Sequence, residues 1–252
     1  VDVCQRKVAG NCVACLLHAT RDNLRGKDAG FLDRLCNCVQ TGLCQDADQE
    51  SPSEQDAALF LQRLLDCIVG VEQDQGRVGN RLGLDEVPIT HVHRLFGFWE
   101  ERRLHCGTCY VLANSFRVMT MLDLPLLDAD KDGVTVGDLY LRWVTGEDQF
   151  QDASWRCSVN PEHLRCRMQR RVVGEPNILV VRVMRADPEQ GRLRKYAVRP
   201  ELRLDNVGVG RMDLWGIVYH VGASLSSGHY NAAVRDAHGN FRMFDDRTDQ
   251  NP

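Results

Sequence analysis

Hydrophobic positions recur at helical spacing between residues 51 and 70, where an apolar side chain returns every three or four residues. This spacing places the apolar side chains on one face of a helix. Ser51 and Glu54 form a capping box, and Pro52 suits the first helical position. Gly70 is a helix stop signal, so the pattern predicts a helix between these points. The predicted buried stripe consists of Ala57, Phe60, Leu61, Leu64, Leu65 and Ile68.

Short strand-like runs replace the helical spacing in the last third of the chain. Residues 230–235 and 240–244 are such runs, and residues 236–239 between them have the composition of a turn, so this stretch predicts a β-hairpin. The hairpin would bring His229 near Asp245, because both lie at its open end. A carboxylate that orients a histidine supplies two of the three groups of a nucleophilic triad. The alternative is an ordinary surface hairpin.

A candidate nucleophile lies near the start of the chain. The pair Gly10-Asn11 leads into an apolar, helix-compatible run, which places Cys12 at a predicted helix N-terminus. There the helix dipole and the free backbone N–H groups favour the thiolate. Cys12 is the first candidate and Cys15 the second, and a cysteine packed in the core is the structural alternative.

The composition indicates which cellular compartment and which classes of binding partner to expect. A chain of 252 residues can bury the core of one domain, or of two smaller ones. The net charge of −4 predicts no nucleic-acid partner and no membrane partner. Eleven cysteines, an odd number, favour a reducing compartment, so we expect an intracellular protein of the cytoplasm or nucleus. The ends at Val1 and Pro252 lead us to expect a domain of a longer chain.

Two short motifs resemble metal sites. Cys106 and Cys109 form a Cys-x-x-Cys motif, which is read as a zinc half-site, a redox pair or a coincidence. Residues 128–133 resemble the start of a calcium-binding EF-hand loop, which needs a bidentate Glu at its twelfth position. That position is Leu139, so we predict a polar turn there and no calcium site.

The C-terminal hairpin resembles the histidine box of the ubiquitin-specific proteases, which are papain-like cysteine deubiquitinases. Residues 9–19 resemble the cysteine box of that family, with one residue missing and Lys7 where the family has an oxyanion Asn. Residues 55–66 resemble the box whose Asp faces the arginines of the ubiquitin tail, with Leu59 where the family usually has Glu. The matching residues of the histidine box are Tyr219-His-Val-Gly-Ala-Ser224, Gly228-His-Tyr230 and Phe241-Arg-Met-Phe-Asp-Asp246.

The resemblance implies an α+β, papain-like cysteine protease fold in a single domain over residues 1–252. Its thumb would cover about residues 1–95 and its fingers about 96–120 and 145–175. The palm would be formed by the remainder.

The resemblance also implies a thiol-dependent hydrolase that cuts the (iso)peptide bond after the C-terminal Gly of ubiquitin. Cys12 would attack the carbonyl and His229 would act as base and then acid. Asp245 would orient His229, and Asp246 would assist at the oxyanion or a water. The implied partners are ubiquitin and ubiquitinated proteins. The residues implied to bind the ubiquitin tail are Asp56, Gly222, Gly228 and His220.

Three other functions stay open: a catalytically inactive ubiquitin-binding module of the same fold, a cysteine protease for another ubiquitin-like modifier, and a zinc-stabilised scaffold. The first is favoured by Lys7, Leu59 and the shortened cysteine box.

The family places a second Cys-x-x-Cys nineteen residues before a Pro that opens a strand, and Cys157 lies at that distance before Pro176. A structural zinc held by Cys106, Cys109 and Cys157 would need Cys166 or His163 as its fourth ligand, because such sites are usually closed and tetrahedral. The ligand set chosen from the sequence is Cys106, Cys109, Cys157 and Cys166. A metal-free finger is the alternative.

Overall fold

The structure is a computed structural model. It describes residues 57–74, 90–110, 112–128, 130, 132–145, 149–150, 157–163, 166–187, 192–194, 196–201, 203–204, 210–222 and 228–245. The chain divides into two compact units, Val1–Arg94 and Leu95–Pro252. The thumb, fingers and palm bounds stay predictions. In the ranges above, no helix has the length and apolar character needed to cross a membrane.

The first unit contains the predicted long helix, α1, which the structure describes from Ala57 to Asp74. Leu65 in its apolar stripe is buried, and the rest of the stripe is half-buried. The predicted end at Gly70 is wrong, because the helix continues for four further residues. A lone Gly inside a helix costs about 1 kcal/mol relative to Ala, which does not outweigh the packed stripe. The capping box at Ser51 lies outside the described residues.

Helix α2 (His91–Phe96) follows, and Thr90 lies directly before it. The Thr90 hydroxyl accepts a hydrogen bond from the backbone N–H of His93 at 3.3 Å, which is N-cap geometry.

The largest sheet of the second unit has four antiparallel strands in the order β2-β1-β6-β5. Strand β1 is paired with β2 on one side and with β6 on the other. The short strand β5 pairs with β6. These strands are β1 (Phe98–Cys106), β2 (Leu112–Met119), β5 (Gln149–Phe150) and β6 (Cys166–Val173).

The main hydrophobic core lies between this sheet and helix α3 (Val136–Thr145). Thr135 and Asp138 cap the helix in a reciprocal box: Asp138 Oδ2 accepts from the Thr135 N–H, and the Asp138 N–H donates to Thr135 Oγ1. The buried residues of this core are Phe98, Leu122, Leu124, Leu126, Leu139, Tyr140, Trp143 and Val172.

Two parallel strand pairs join distant parts of the chain around this core. Strand β3 (Leu122–Pro125) pairs with β7 (Val181–Met184), and β4 (Val134–Thr135) pairs with β10 (Val198–Arg199). Thr120 and Met121 form the bend between β2, which ends at Met119, and β3, which begins at Leu122.

The predicted polar turn at residues 128–133 is confirmed at its described positions, 128, 130, 132 and 133. Asp128 pairs with Arg194, and Asp130 pairs with Arg142. Asp132 accepts a hydrogen bond from the backbone N–H of Ala197 at 2.8 Å. The three carboxylates therefore have protein partners, while Leu139 is buried in the core.

The C-terminal strands form a three-stranded antiparallel sheet in the order β13-β14-β15. The Asp236 carboxylate accepts backbone hydrogen bonds from His238 and Asn240, and Gly239 has φ +89°, which a turn residue without a Cβ adopts freely. The predicted hairpin is thus confirmed. The strands of this sheet are β13 (Gly216–Val221), β14 (His229–Arg235) and β15 (Phe241–Phe244).

Two short antiparallel strand pairs precede this sheet in the chain. They are β8 (Ala186–Asp187) with β9 (Arg192–Leu193), and β11 (Arg203–Leu204) with β12 (Met212–Asp213).

Candidate active site and metal cluster

The open end of the hairpin brings His229 and Asp245 together. His229 begins β14, and Asp245 follows the last residue of β15. The distance from His229 Nε2 to Asp245 Oδ1 is 2.8 Å. The imidazole is 14% exposed and the carboxylate 32%, so solvent only partly screens the pair. A carboxylate at Nε2 favours the tautomer with its proton on that nitrogen, which leaves Nδ1 to act as a base.

A second histidine lies on the neighbouring strand. In the pairing of β13 with β14, Val221 is opposite His229 and His220 is opposite Tyr230. The rings of His220 and Tyr230 have their centroids 5.0 Å apart.

Gly228, directly before His229, packs closely against this strand. A Cβ atom added to Gly228 would overlap the His220 imidazole and lie 2.9 Å from the Val221 carbonyl oxygen. The position therefore accepts a side chain only if its neighbours move.

The structure thus brings together four of the residues predicted for the site, His220, Gly228, His229 and Asp245. Gly222 is also described, one residue after the end of β13. The other predicted site residues lie outside the described part of the chain: Cys12, Cys15, Asp56 and Asp246.

A separate cluster joins the turn after β1 to the segment before β6. The ligand atoms of Cys106, Cys109, Cys157 and His163 all lie within 4.8 Å of one another. The sulfurs of Cys109 and Cys157 are 3.3 Å apart, and Cys106 Sγ is 3.6 Å from His163 Nδ1. A tetrahedral zinc with bonds of about 2.3 Å to sulfur would hold its ligands at about this spacing.

The cluster suits a cation because its thiols are arranged to lose their protons. The backbone N–H groups of Thr108 and Cys109 both point at Cys106 Sγ, each at 3.4 Å. Burial raises the pKa of Cys106, but these N–H groups and the thiols of Cys109 and Cys157 outweigh burial and lower the pKa to about 6. Hydrogen bonding to Cys157 raises the pKa of His163. The donor set therefore fits a soft metal such as zinc.

The fourth member of the cluster is His163, one of the two candidates from the sequence. The other candidate, Cys166, is opposite Cys106 in the pairing of β1 with β6, and its side chain lies outside the described residues. The Asn160–His163 turn places the imidazole, with the His163 N–H donating to the Asn160 carbonyl at 3.1 Å. The sequence signal for this ligand is the Cys-x5-His spacing from Cys157.

A family model described as ubiquitin carboxyl-terminal hydrolase matches residues 37–251. The chain belongs to this family. The probable ubiquitin carboxyl-terminal hydrolase 16 of Schizosaccharomyces pombe is 26% identical over 166 residues, which are 62% of this chain and 35% of that protein.

Solved structures support the same assignment at the level of the fold. This chain is similar to a structure of Ubp8 with Sgf11, Sus1 and Sgf73 in the SAGA DUB module bound to monoubiquitin, with a TM-score of 0.72 and 20% identity over 97% of this chain and 55% of that one. A Ubp8 module bound to ubiquitin aldehyde gives a TM-score of 0.69 at 19% identity, over 97% and 56% of the two chains. The predicted α+β, papain-like cysteine protease fold is therefore confirmed.

The chain spans about a third of the curated relative and about half of the matched Ubp8 chains. The family match begins at residue 37, so Cys12 and Cys15 lie before it as well as outside the described residues. The identity of the nucleophile stays a prediction from the sequence.

Proposed function

We propose that this chain is a cysteine-type ubiquitinyl hydrolase, which cleaves the (iso)peptide bond after the C-terminal Gly of ubiquitin. The observation that carries the proposal is the His229–Asp245 pair at 2.8 Å, in a chain of the ubiquitin carboxyl-terminal hydrolase family. Similar Ubp8 structures hold monoubiquitin or ubiquitin aldehyde, which supports ubiquitin as the substrate. The wider partners would be ubiquitinated proteins in the cytoplasm or nucleus, where thiols remain reduced.

In the proposed reaction, His229 Nδ1 takes the proton of the Cys12 thiol, and the sulfur attacks the carbonyl carbon of the terminal Gly. Asp245 stabilises the imidazolium that forms. When the tetrahedral intermediate collapses, the C–N bond breaks and His229 gives its proton to the departing amine. A water then attacks the thioester with His229 again as base, which releases the carboxylate of ubiquitin and restores the thiol. Asp246 would orient that water or support the oxyanion.

The residues predicted for a ubiquitin-tail channel lie beside His229: Gly228 directly precedes it, and a Cβ at Gly228 would overlap the His220 imidazole. A Gly-Gly tail has no side chains, so it fits where a larger residue would be excluded. We propose that Gly222, Gly228 and His220 line this channel and that Asp56 pairs with the tail arginines.

We also propose that the Cys/His cluster holds a structural zinc through Cys106, Cys109, Cys157 and His163. A closed set of four ligands leaves no open position for substrate, so this zinc would stabilise the fold and take no part in catalysis.

The test is reaction of the chain with ubiquitin that bears an electrophilic C-terminus, followed by intact mass and peptide mapping. We expect an adduct on Cys12 that is lost in Cys12→Ala, kept in Cys15→Ala, and slowed in His229→Ala. An adduct on Cys15 would move the nucleophile to that residue. Failure to react and failure to bind ubiquitin would together overturn the proposal.

A second candidate is a catalytically inactive ubiquitin-binding module of the same fold, favoured by Lys7 and Leu59 at positions where the family has Asn and Glu. Its signature is ubiquitin binding without an adduct. A protease for another ubiquitin-like modifier would instead react with that modifier and remain insensitive to replacement of the ubiquitin tail arginines.

A further inference from the structure

One face of the four-stranded sheet carries three arginines, Arg103, Arg167 and Arg171, which we call the arginine surface. In the pairing of β1 with β6, Arg171 is opposite Glu101 and Arg167 is opposite His105. Arg103 lies between these two β1 residues, at the alternating position of the strand. Directly opposed residues and alternate residues share a face, so all three arginines lie on the same side of the sheet.

A buried carboxylate holds two of these arginines in place. Glu101 is 3% exposed, and it accepts hydrogen bonds from Arg103 Nε at 2.8 Å and from Arg171 Nε. Burial raises the pKa of Glu101, but the hydrogen bonds from Arg103 and Arg171 outweigh burial and keep the pKa below its ordinary value. The Arg103 and Arg171 side chains are nevertheless 41% and 56% exposed. Each guanidinium has five N–H donors, and Glu101 accepts hydrogen bonds from only two of them in Arg103 and one in Arg171, so donors remain for another partner.

The arginine surface has an excess of positive charge. Strands β1, β2 and β6 contain six arginines and two glutamates, a net charge of +4 in a chain whose total is −4. Among the described residues of this face, one buried glutamate faces three arginines. The third arginine, Arg167, donates a hydrogen bond to the Thr145 carbonyl at 3.2 Å. A carbonyl is uncharged, so this contact does not neutralise the charge of Arg167.

We propose that the arginine surface binds an extended acidic segment of a partner protein. Alternate residues of a strand are about 6.5 to 7 Å apart, both in the sheet and in an extended peptide. Asp or Glu residues at every second position of such a segment would therefore lie beside successive positions of this face. Guanidinium groups pair with carboxylates through two parallel hydrogen bonds, which makes arginine suited to this contact.

The same face favours a peptide over nucleic acid. Single-stranded nucleic acid is usually held by exposed aromatic rings on which bases stack. The rings that β1 and β2 place on this face, those of Trp99, His105 and Phe116, are half-buried. An exposed aliphatic side chain, Leu112 at 49% exposure, stands opposite His105 and extends the face toward the sheet edge. It offers an apolar contact next to the charged ones.

The experiment measures binding of the full chain to a fluorescein-labelled peptide of alternating Glu and Ser, by anisotropy at two salt concentrations. The first variant is Arg167→Gln, which leaves the buried Glu101 pair intact. The second replaces Glu101, Arg103 and Arg171 together by Gln, so that no unpaired charge is left buried. The control replaces Arg203 and Arg211 by Gln, two exposed arginines outside this sheet.

We expect salt-dependent binding that falls about threefold in Arg167→Gln and about tenfold or more in the triple variant, with the control unchanged. A peptide with the same Glu residues in one contiguous block should bind more weakly. Absence of binding, or equal binding by both sets of variants, would overturn the inference. Stronger binding of a single-stranded RNA that depends on the same arginines would replace the acidic segment with nucleic acid. An equal loss of monoubiquitin binding would assign the surface to the ubiquitin site.

Discussion

Gly228 shows how one missing side chain can shape a site. It directly precedes His229, and a Cβ built on it would lie 2.0 Å from His220 Nε2 and 2.9 Å from the Val221 carbonyl oxygen. An added Cβ must therefore displace these groups, and both belong to β13, the strand paired with β14.

We expect Gly228→Ala to destabilise the chain by about 1–3 kcal/mol, the usual range for overpacking. Combining it with His220→Ala should recover part of the loss, because the imidazole is the group nearest the new methyl. Recovery should be incomplete, since the Val221 oxygen remains. Urea unfolding of the two single variants and the double variant measures the coupling, and strict additivity would contradict this account.

We expect the Asp245 carboxylate to orient the His229 imidazole and to stabilise its protonated form. Asp245→Ala should reduce the rate of reaction with electrophilic ubiquitin by about 100-fold to 10,000-fold, the range for loss of general acid–base groups and of the carboxylate that orients a catalytic histidine. Asp213→Ala, which removes an exposed carboxylate paired with Arg203, is the matched control. Ubiquitin affinity should change little in either variant, and unchanged rates in Asp245→Ala would remove Asp245 from the mechanism.

Among the helices, α1 continues through Gly70, although the sequence predicted an end there. Nothing lies within 4 Å of a Cβ built at Gly70, so Ala fits without strain. We expect Gly70→Ala to stabilise the chain by about 0.5–1 kcal/mol, mainly by restricting the unfolded state. A higher urea midpoint with unchanged m-value would support this, and destabilisation would show that the helix ends near Gly70.

The cap of α3 should make part of the stability depend on pH. The Thr135 backbone N–H and then its hydroxyl lower the pKa of Asp138 from the ordinary value of 3.8. A carboxyl with a lowered folded-state pKa stabilises the fold above its ordinary pKa and loses this contribution as pH falls through the lowered one. Asp138→Ala should therefore cost about 1 kcal/mol near pH 7 and progressively less as the pH falls below the ordinary pKa. A pH-independent difference in urea unfolding would contradict this.

Contacts between residues that are close in the sequence could be predicted, and contacts between distant residues could not. The pairing of His229 with Asp245 could be predicted because the tight turn at residues 236–239 fixes the register between them. The pairing of Glu101 with Arg171 could not, because it depends on the register of β1 with β6, 70 residues apart. The sequence likewise left the choice between His163 and Cys166 open, because it depends on where the turn after Cys157 places the His163 side chain.

At the scale of the whole molecule, the Cys/His cluster joins segments that start 51 residues apart, at Cys106 and Cys157. We expect about one zinc per chain, and a lower unfolding temperature after chelation, because a structural zinc binds only the folded arrangement. Cys157→Ser and His163→Ala should lose the metal, measured by elemental mass spectrometry. Cys67→Ser, in a thiol outside the cluster, should retain it. Loss of zinc in Cys166→Ser but not in His163→Ala would reassign the fourth ligand.

The parallel pair of β3 with β7 delays the burial of β3 until a later part of the chain has been synthesised. Leu122 and Leu124 of β3 are almost completely buried, yet their partners Val181 and Val183 come much later in the chain. The 55 residues between Pro125 and Val181 must therefore leave the ribosome before β3 can be covered. Closing so long a loop is slow, and β3 remains an exposed, aggregation-prone segment of the nascent chain until the loop has closed. A translation product cut before Val181 should consequently aggregate or require a chaperone.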